Sequence, residues 1–257
     1  MDFSNTIGSM LVSGYHKWGY VIYRCTYGDD KAWNDFMTMM KYSANQSLEW
    51  CGRAVRLGPY LRFTVLEDPS FDNATKDAIR EHFRHWIQGR SAERDGTGAD
   101  GPRVLDRVPR YRHCVYVDKE CLDSVRKSVF PSAEAAGKSE PYSVDGFAVL
   151  IDSDFGHRPP PLQEEPDSED SEEDDDDDYG DEVGPVGGTS ELDVGWTYVD
   201  VGGGFIGSYD SRAWKIGGWD EIWRLCYEQP SAQVKQRNRR AAMKGRKVEG
   251  GERTDID

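Results

Sequence analysis

Three short stretches of this chain carry residue types whose spacing suits chemistry. Gly202-Gly-Gly-Phe-Ile-Gly207 has the GxGxxG form that receives a dinucleotide pyrophosphate when it opens a helix. The stretch that follows, Ser208 to Gly218, shows no helical apolar stripe, so the reading is a glycine-rich turn between strands with no cofactor. Glu81-His-Phe-Arg-His85 places His82 and His85 three residues apart, where they could share a metal with Glu81 or with His113. Apolar Ile79, Phe83, Trp86 and Ile87 define the buried face of that helix and leave His82 at its edge, so no metal is expected. Arg90-Ser-Ala-Glu-Arg-Asp95 gathers Arg90, Glu93, Arg94 and Asp95. Paired guanidinium forks bind carboxylate or phosphate, and they also fix long loops through local ion pairs. If the chain holds a small-molecule or enzymatic pocket, this loop borders it. No Gly-x-Ser-x-Gly elbow and no cysteine-protease context is present, so no catalytic residue is assigned.

The elements that would position these groups follow from periodicity. Trp18 to Tyr27 is rich in aromatic and β-branched residues on both faces, which predicts a central strand covered on both sides. Asp29 or Asp30 can cap the helix whose stripe is Trp33, Phe36, Met37, Met40, Ala44, Leu48 and Cys51, with Gly52 at its end. Tyr60 to Glu67 alternates as a second strand. A second helix, capped by Asp72 or Asn73, runs to about Arg90. The polar stretch Arg90 to Pro109 predicts a long loop, Tyr111 to Asp118 a third strand, and Asp118 the cap of a short helix with Cys121, Leu122 and Val125. Gly146 to Asp152 and Val194 to Val201 complete the strands, and Asp220 to Tyr227 a last short helix. Residues 1–17 read as an irregular lead-in. The fold class is α+β: a single mixed or antiparallel sheet with helices packed on it, ferredoxin-like first and a small doubly wound α/β sheet second. One domain spans 18–158 together with 189–228.

Charge is distributed unevenly. The net charge is −15, with 47 acids and 32 bases. Fourteen of the acids lie between Glu164 and Glu182, so 33 remain against 32 bases and the rest of the chain is nearly neutral. Residues 159–188, opened by Pro159 to Pro161, read as a disordered acidic insertion, and 229–257 as a disordered tail. The tail is basic at Lys235, Arg237, Arg239, Arg240, Lys244, Arg246 and Lys247, a pattern suited to nucleic acid or an import receptor. Ser168 and Ser171 lie inside the acidic run and resemble acidophilic-kinase sites. The run itself suits a basic protein such as a histone tail, or the chain's own basic end. Five widely spaced cysteines without a CxxC pair fit reduced thiols, hence a cytoplasmic or nuclear setting. No signal peptide, transmembrane helix or membrane partner is expected. The function these features favour is a non-enzymatic intracellular interaction domain whose partner-facing parts are the acidic insertion and the basic tail.

Trp18-Gly-Tyr-Val-Ile-Tyr-Arg-Cys-Thr-Tyr-Gly-Asp-Asp30, Arg90-Ser-Ala-Glu-Arg-Asp-Gly96, Pro109-Arg-Tyr-Arg-His-Cys-Val-Tyr-Val-Asp118 and Asp193-Val-Gly-Trp196 resemble, in this order, segments of a family of uncharacterised proteins from filamentous fungi. Relatives also carry an acidic stretch before the Val-Gly-Trp segment. The resemblance implies a shared fold over roughly residues 15–220 and supplies no catalytic residues. Trp219-Asp-Glu-Ile-Trp223 departs from the Arg-Pro-Pro-Glu-Ile-like segment of that family.

Overall fold

The computed structural model describes residues 3–126, 146–156, 195–202 and 204–214. The first element departs from expectation, because α1 (Ser4–Ser13) occupies the stretch read as irregular. Its buried residues include Thr6 and Ser9, polar side chains that hide the stripe from a hydrophobicity pattern. Strand β1 (Val21–Arg24) is buried at every position. Helix α2 (Asp30–Trp50) buries Trp33, Phe36, Met37, Met40, Ala44 and Leu48, the stripe that its three- and four-residue spacing specifies. Asp29 is the cap, accepting from the Ala32 N–H. A single turn, α3 (Ala54–Leu57), leads into the edge strand β2 (Thr64–Leu66).

Helix α4 (Lys76–Gln88) starts later than expected. Thr75 caps it by accepting from the Ala78 N–H, because Asn73 is used elsewhere. Asn73 sits in the left-handed region at φ 56°, and its N–H reaches the Cys25 carbonyl at 3.1 Å. The stretch from Arg90 to Pro109 is not a bare loop. It holds two single turns, α5 (Ala92–Asp95) and α6 (Val104–Arg107), and buries Asp95, Ala99, Val104 and Val108. Strand β3 (His113–Val117) follows, and Asp118 caps α7 (Lys119–Val125), which buries Cys121, Leu122 and Val125 as its pattern requires. Strands β4 (Phe147–Asp152) and β5 (Trp196–Asp200) precede helix α8 (Gly204–Trp214).

The strands form one five-stranded mixed sheet in the order β2-β1-β3-β4-β5. β2, β1 and β3 are parallel, while β4 runs antiparallel to both β3 and β5. The α+β class stands. The ferredoxin-like order gives way, because β1, β2 and β3 are adjacent parallel strands joined by two helical crossovers. Parallel neighbours need such crossovers. The two crossovers run in opposite directions across β1, so right-handedness puts α2 and α4 on opposite faces. Tyr23 marks the α4 face, its ring lying against Phe83. Tyr20 marks the other, packed on Phe205 and Tyr209 of α8 at 5.1 and 4.9 Å between centroids. The fully buried aliphatic positions of β1 each contribute about 1.5–3 kcal/mol.

Helix α8 corrects the reading of the glycine run, since a helix does follow it. Phe205, Ile206, Tyr209 and Ala213 form its buried side. Asp210 gives it a second role. Phe3, at the N-cap of α1, offers no side-chain acceptor to that helix. Asp210 supplies one from across the core: its Oδ1 accepts from the Thr6 N–H at 2.8 Å and the Thr6 hydroxyl at 2.7 Å. A carboxylate there also meets the positive end of the α1 dipole. Asp210→Ala is expected to lower stability by about 2 kcal/mol, with Asp210→Asn intermediate. Urea unfolding checks this, and an unchanged midpoint for the alanine variant would remove the capping role.

Candidate functional site

The Arg90–Asp95 loop is tied down by its own residues. Arg94 donates to Asp95 Oδ2 through Nε at 2.9 Å and Nη2 at 2.7 Å, the fork geometry that would otherwise hold a ligand carboxylate. Its guanidinium also lies 4.0 Å from the Trp86 ring centroid and donates to the Trp86 carbonyl at 2.7 Å. Asp95 is buried, and its backbone carbonyl accepts from Lys17 and from the Tyr15 hydroxyl. Trp86 is in turn stacked between Phe83 and Tyr111. Arg94 and Asp95 thus act on each other, Arg90 is half-buried nearby, and Glu93 is exposed on α5.

The histidines are dispersed. His82 Nδ1 lies 2.9 Å from the Tyr23 hydroxyl, and its ring packs edge-on against Tyr23 and Phe71. His85 Nδ1 lies 2.9 Å from the Glu81 carbonyl. His113 alternates with Cys114, which is in register with Val21 on the α4 face, so His113 belongs to the opposite face of the sheet. Among the described residues no group of three His, Cys, Asp or Glu side chains is placed to hold a metal ion.

The glycine run does open a helix after a strand, but that strand lies at a sheet edge, antiparallel to its neighbour. A dinucleotide-binding turn instead follows a central parallel strand. The crevice where such sheets take ligands lies at the carboxyl ends of β1 and β3. Here it is filled by internal pairs. Arg24 is buried against Asp30 at 2.5 Å and Glu67 at 3.5 Å, with its guanidinium over the rings of Tyr27 and Trp33. Asp29 takes Arg126 at 2.6 Å. Cys25, Cys114 and Cys121 are free and buried. Burial pushes the Cys25 thiol up to about 12 and holds the other two well above the usual thiol range, so all three stay protonated.

No sequence motif points to a joint that the structure builds at the far end of the sheet, where β4 leaves and β5 returns. Arg80 and Arg84 stand one turn apart on α4. Arg80 Nε donates to the Asp152 carbonyl at 2.9 Å and Nη2 to the Gly195 carbonyl at 3.1 Å. Arg84 donates to the carbonyls of Ser153 and Phe155, both at 2.6 Å. The Asp152 N–H donates to the Gly195 carbonyl at 2.9 Å. Gly195 has φ +67°, and a Cβ there would lie 2.2 Å from Cγ of Phe155, whose ring faces Arg80. Only glycine fits. Both ends of the connection that contains the acidic run are therefore clamped at one neck. The acidic run with Ser168 and Ser171, the basic tail and the Asp220–Tyr227 stretch lie outside the described residues.

No protein-family model, no curated protein and no solved structure matches the chain. Among the described residues no helix is long and apolar enough to cross a membrane.

His82 supplies a pH signature for this face. Burial pushes its pKa below the ordinary 6.5, neighbouring His85 adds to the shift, and Asp68 opposes it. A depressed value means that the unfolded chain binds the proton more readily. The stability due to neutral His82 is therefore complete above about pH 6.5 and is lost as pH falls through the lower folded value. Thermal melts between pH 7.5 and 5 should show this loss, and His82→Gln should flatten it. An equal slope in the variant would show that other groups carry the dependence.

Proposed function

We propose that this chain is a non-enzymatic protein-interaction domain that presents its acidic segment, Glu164–Glu182, to basic partners. What supports this reading is the mounting of the segment. Arg80 and Arg84 clamp Asp152, Ser153, Phe155 and Gly195, so the fourteen-acid run leaves and re-enters a rigid fold at one point. Closing a longer connection costs only about 0.6 kcal/mol per doubling of its length, so a long segment can be hung there at little expense to the fold. A dense run of carboxylates attracts lysine- and arginine-rich chains and speeds their encounter. Phosphorylation at Ser168 and Ser171 would add about −1.5 to −2 charges at each site and strengthen the attraction. The tail from Lys235 to Lys247 is proposed as a second contact, for nucleic acid or an import receptor. The pocket reading has no comparable support, since the arginine fork of the Arg90–Asp95 loop already holds Asp95.

The test is binding of a labelled lysine-rich peptide to the full chain by fluorescence anisotropy. Affinity should fall as salt rises from 50 to 300 mM, because screening shortens the reach of exposed charges. Changing Asp174 to Asp178 together into Asn should weaken binding by about tenfold. Absence of binding at low salt, or binding indifferent to the neutralised run, would refute the reading.

A further inference from the structure

Among the described residues few large apolar side chains are exposed, and the two most exposed lie five residues apart in the chain. Trp50, at the last turn of α2, is 92% exposed, and Val55, on α3, is 93% exposed. Tyr60 is 41% exposed just beyond them. An indole held fully in water at a helix end contributes nothing to the core, while tryptophan and arginine are the side chains that most often anchor interfaces. The same stretch is rich in arginine. Between Glu49 and Arg62 the chain carries Arg53, Arg56 and Arg62 against the single acid Glu49. Arg56 and Arg62 are exposed and make no ion pair among the described residues.

The position of this knuckle narrows what covers it. α2 starts beyond the carboxyl end of β1 and runs back, so Trp50 to Arg62 lie at the amino end of the parallel strands. The Trp18 N–H bonds the Tyr60 carbonyl there, at 3.1 Å. The neck lies at the same end of the sheet. Asp152 is in register with His113, the first residue of β3, and the Ser153 N–H bonds the Arg112 carbonyl at 2.9 Å. Across the sheet β2 and β4 are three strand spacings of about 4.8 Å apart, and one helix layer adds about 10 Å. Residues 157–194, at about 3.3 Å per extended residue, reach much further than that. A segment tethered in the same molecule also meets the knuckle at millimolar effective concentration, well above that of a separate acidic protein.

We propose that the knuckle formed by Trp50 and Val55 and edged by Arg53, Arg56 and Arg62 is the docking surface for the acidic segment Glu164–Glu182 of the same molecule. The charges are opposite, and Tyr179 inside the run offers an aromatic partner for Trp50. The docked segment is held back from basic partners, which must compete with the knuckle for it. This goes beyond the proposed function, which needs only that the acidic run be presented.

The experiment follows the Trp50 indole N–H by NMR in the full chain, its resonance assigned by loss in Trp50→Phe. Changing Asp174 to Asp178 together into Asn should move this resonance to the position it takes in the wild-type chain at high salt, and Arg56→Glu should move it likewise. Resonances of core groups such as the Trp18 indole should stay in place, which shows that the variants fold. With Trp50→Ala and Arg56→Ala combined, affinity for the lysine-rich peptide should rise several-fold. An indole resonance indifferent to the neutralised run overturns the docking. A shift that appears only at high protein concentration also overturns it, because the segment would then be docking on a second copy. Docking that fails while the lysine-rich peptide still binds would leave the proposed function standing.

Discussion

The second half of this fold depends on the grip of one guanidinium on two backbone carbonyls. Arg80, buried on α4, joins the Asp152 carbonyl at the end of β4 to the Gly195 carbonyl at the start of β5. Between these residues lie 153–194. Relative to a tight hairpin of four or five residues this is about three doublings of loop length, hence about 2 kcal/mol of extra closure cost. A hydrogen bond from a charged donor contributes about 1.5–3 kcal/mol, so the Arg80 fork is large enough to offset it. The joint fixes where β5 begins, beside the end of β4, and the ladder between the two strands continues from there. Helix α8, which follows β5 directly, seats against Tyr20 and caps α1.

The same device recurs at other corners of the sheet. Arg110 is buried and donates to the carbonyls of Gly19 and Arg62, both at 3.0 Å, and to the Thr64 hydroxyl, joining the entries of β1 and β2. Gly19 has φ +104°, and a Cβ there would come within 2.7 Å of the Arg62 carbonyl oxygen. Arg24 closes the opposite end of β1 against Asp30 and Glu67. Arginine suits this work because its planar fork stays charged and serves two acceptors at once. Such use has a functional consequence. Of the guanidiniums that the sequence offers as ligand-binding groups, that of Arg94 is engaged inside the fold, and Arg56 and Arg62 are among the arginines left facing solvent.

Much of the architecture was legible in the sequence where periodicity and capping agree. The stripe of α2, its cap at one of Asp29 and Asp30, the Asp118 cap, the doubly covered β1 and strands β4 and β5 all follow from spacing. Helices α1 and α8 were not legible. Their buried faces carry polar groups: Thr6 and Asp210 meet across the core, Ser9 donates to the Arg107 carbonyl, and Arg212 donates to the Ser208 carbonyl of its own helix, while a triple glycine opens α8. The start of α4 shifted to Thr75 because the backbone of Asn73 is engaged with Cys25, a contact between segments far apart in the chain. The parallel order of the first three strands rests on handed crossovers that no single segment encodes. Of the groups singled out for chemistry, Arg94 and Asp95 do meet, but on each other. The neck was invisible because its acceptors are backbone carbonyls, which every residue carries.

Equilibrium urea unfolding of the full chain with Arg80→Lys, beside Arg80→Ala, tests the central claim most directly. If the fork joins β4 to β5, lysine keeps the charge but cannot serve both carbonyls. Both variants should then lose about 2 kcal/mol or more. An Arg80→Lys protein that unfolds at the wild-type midpoint would contradict the account, because charge alone would then suffice and the joint would not depend on the fork.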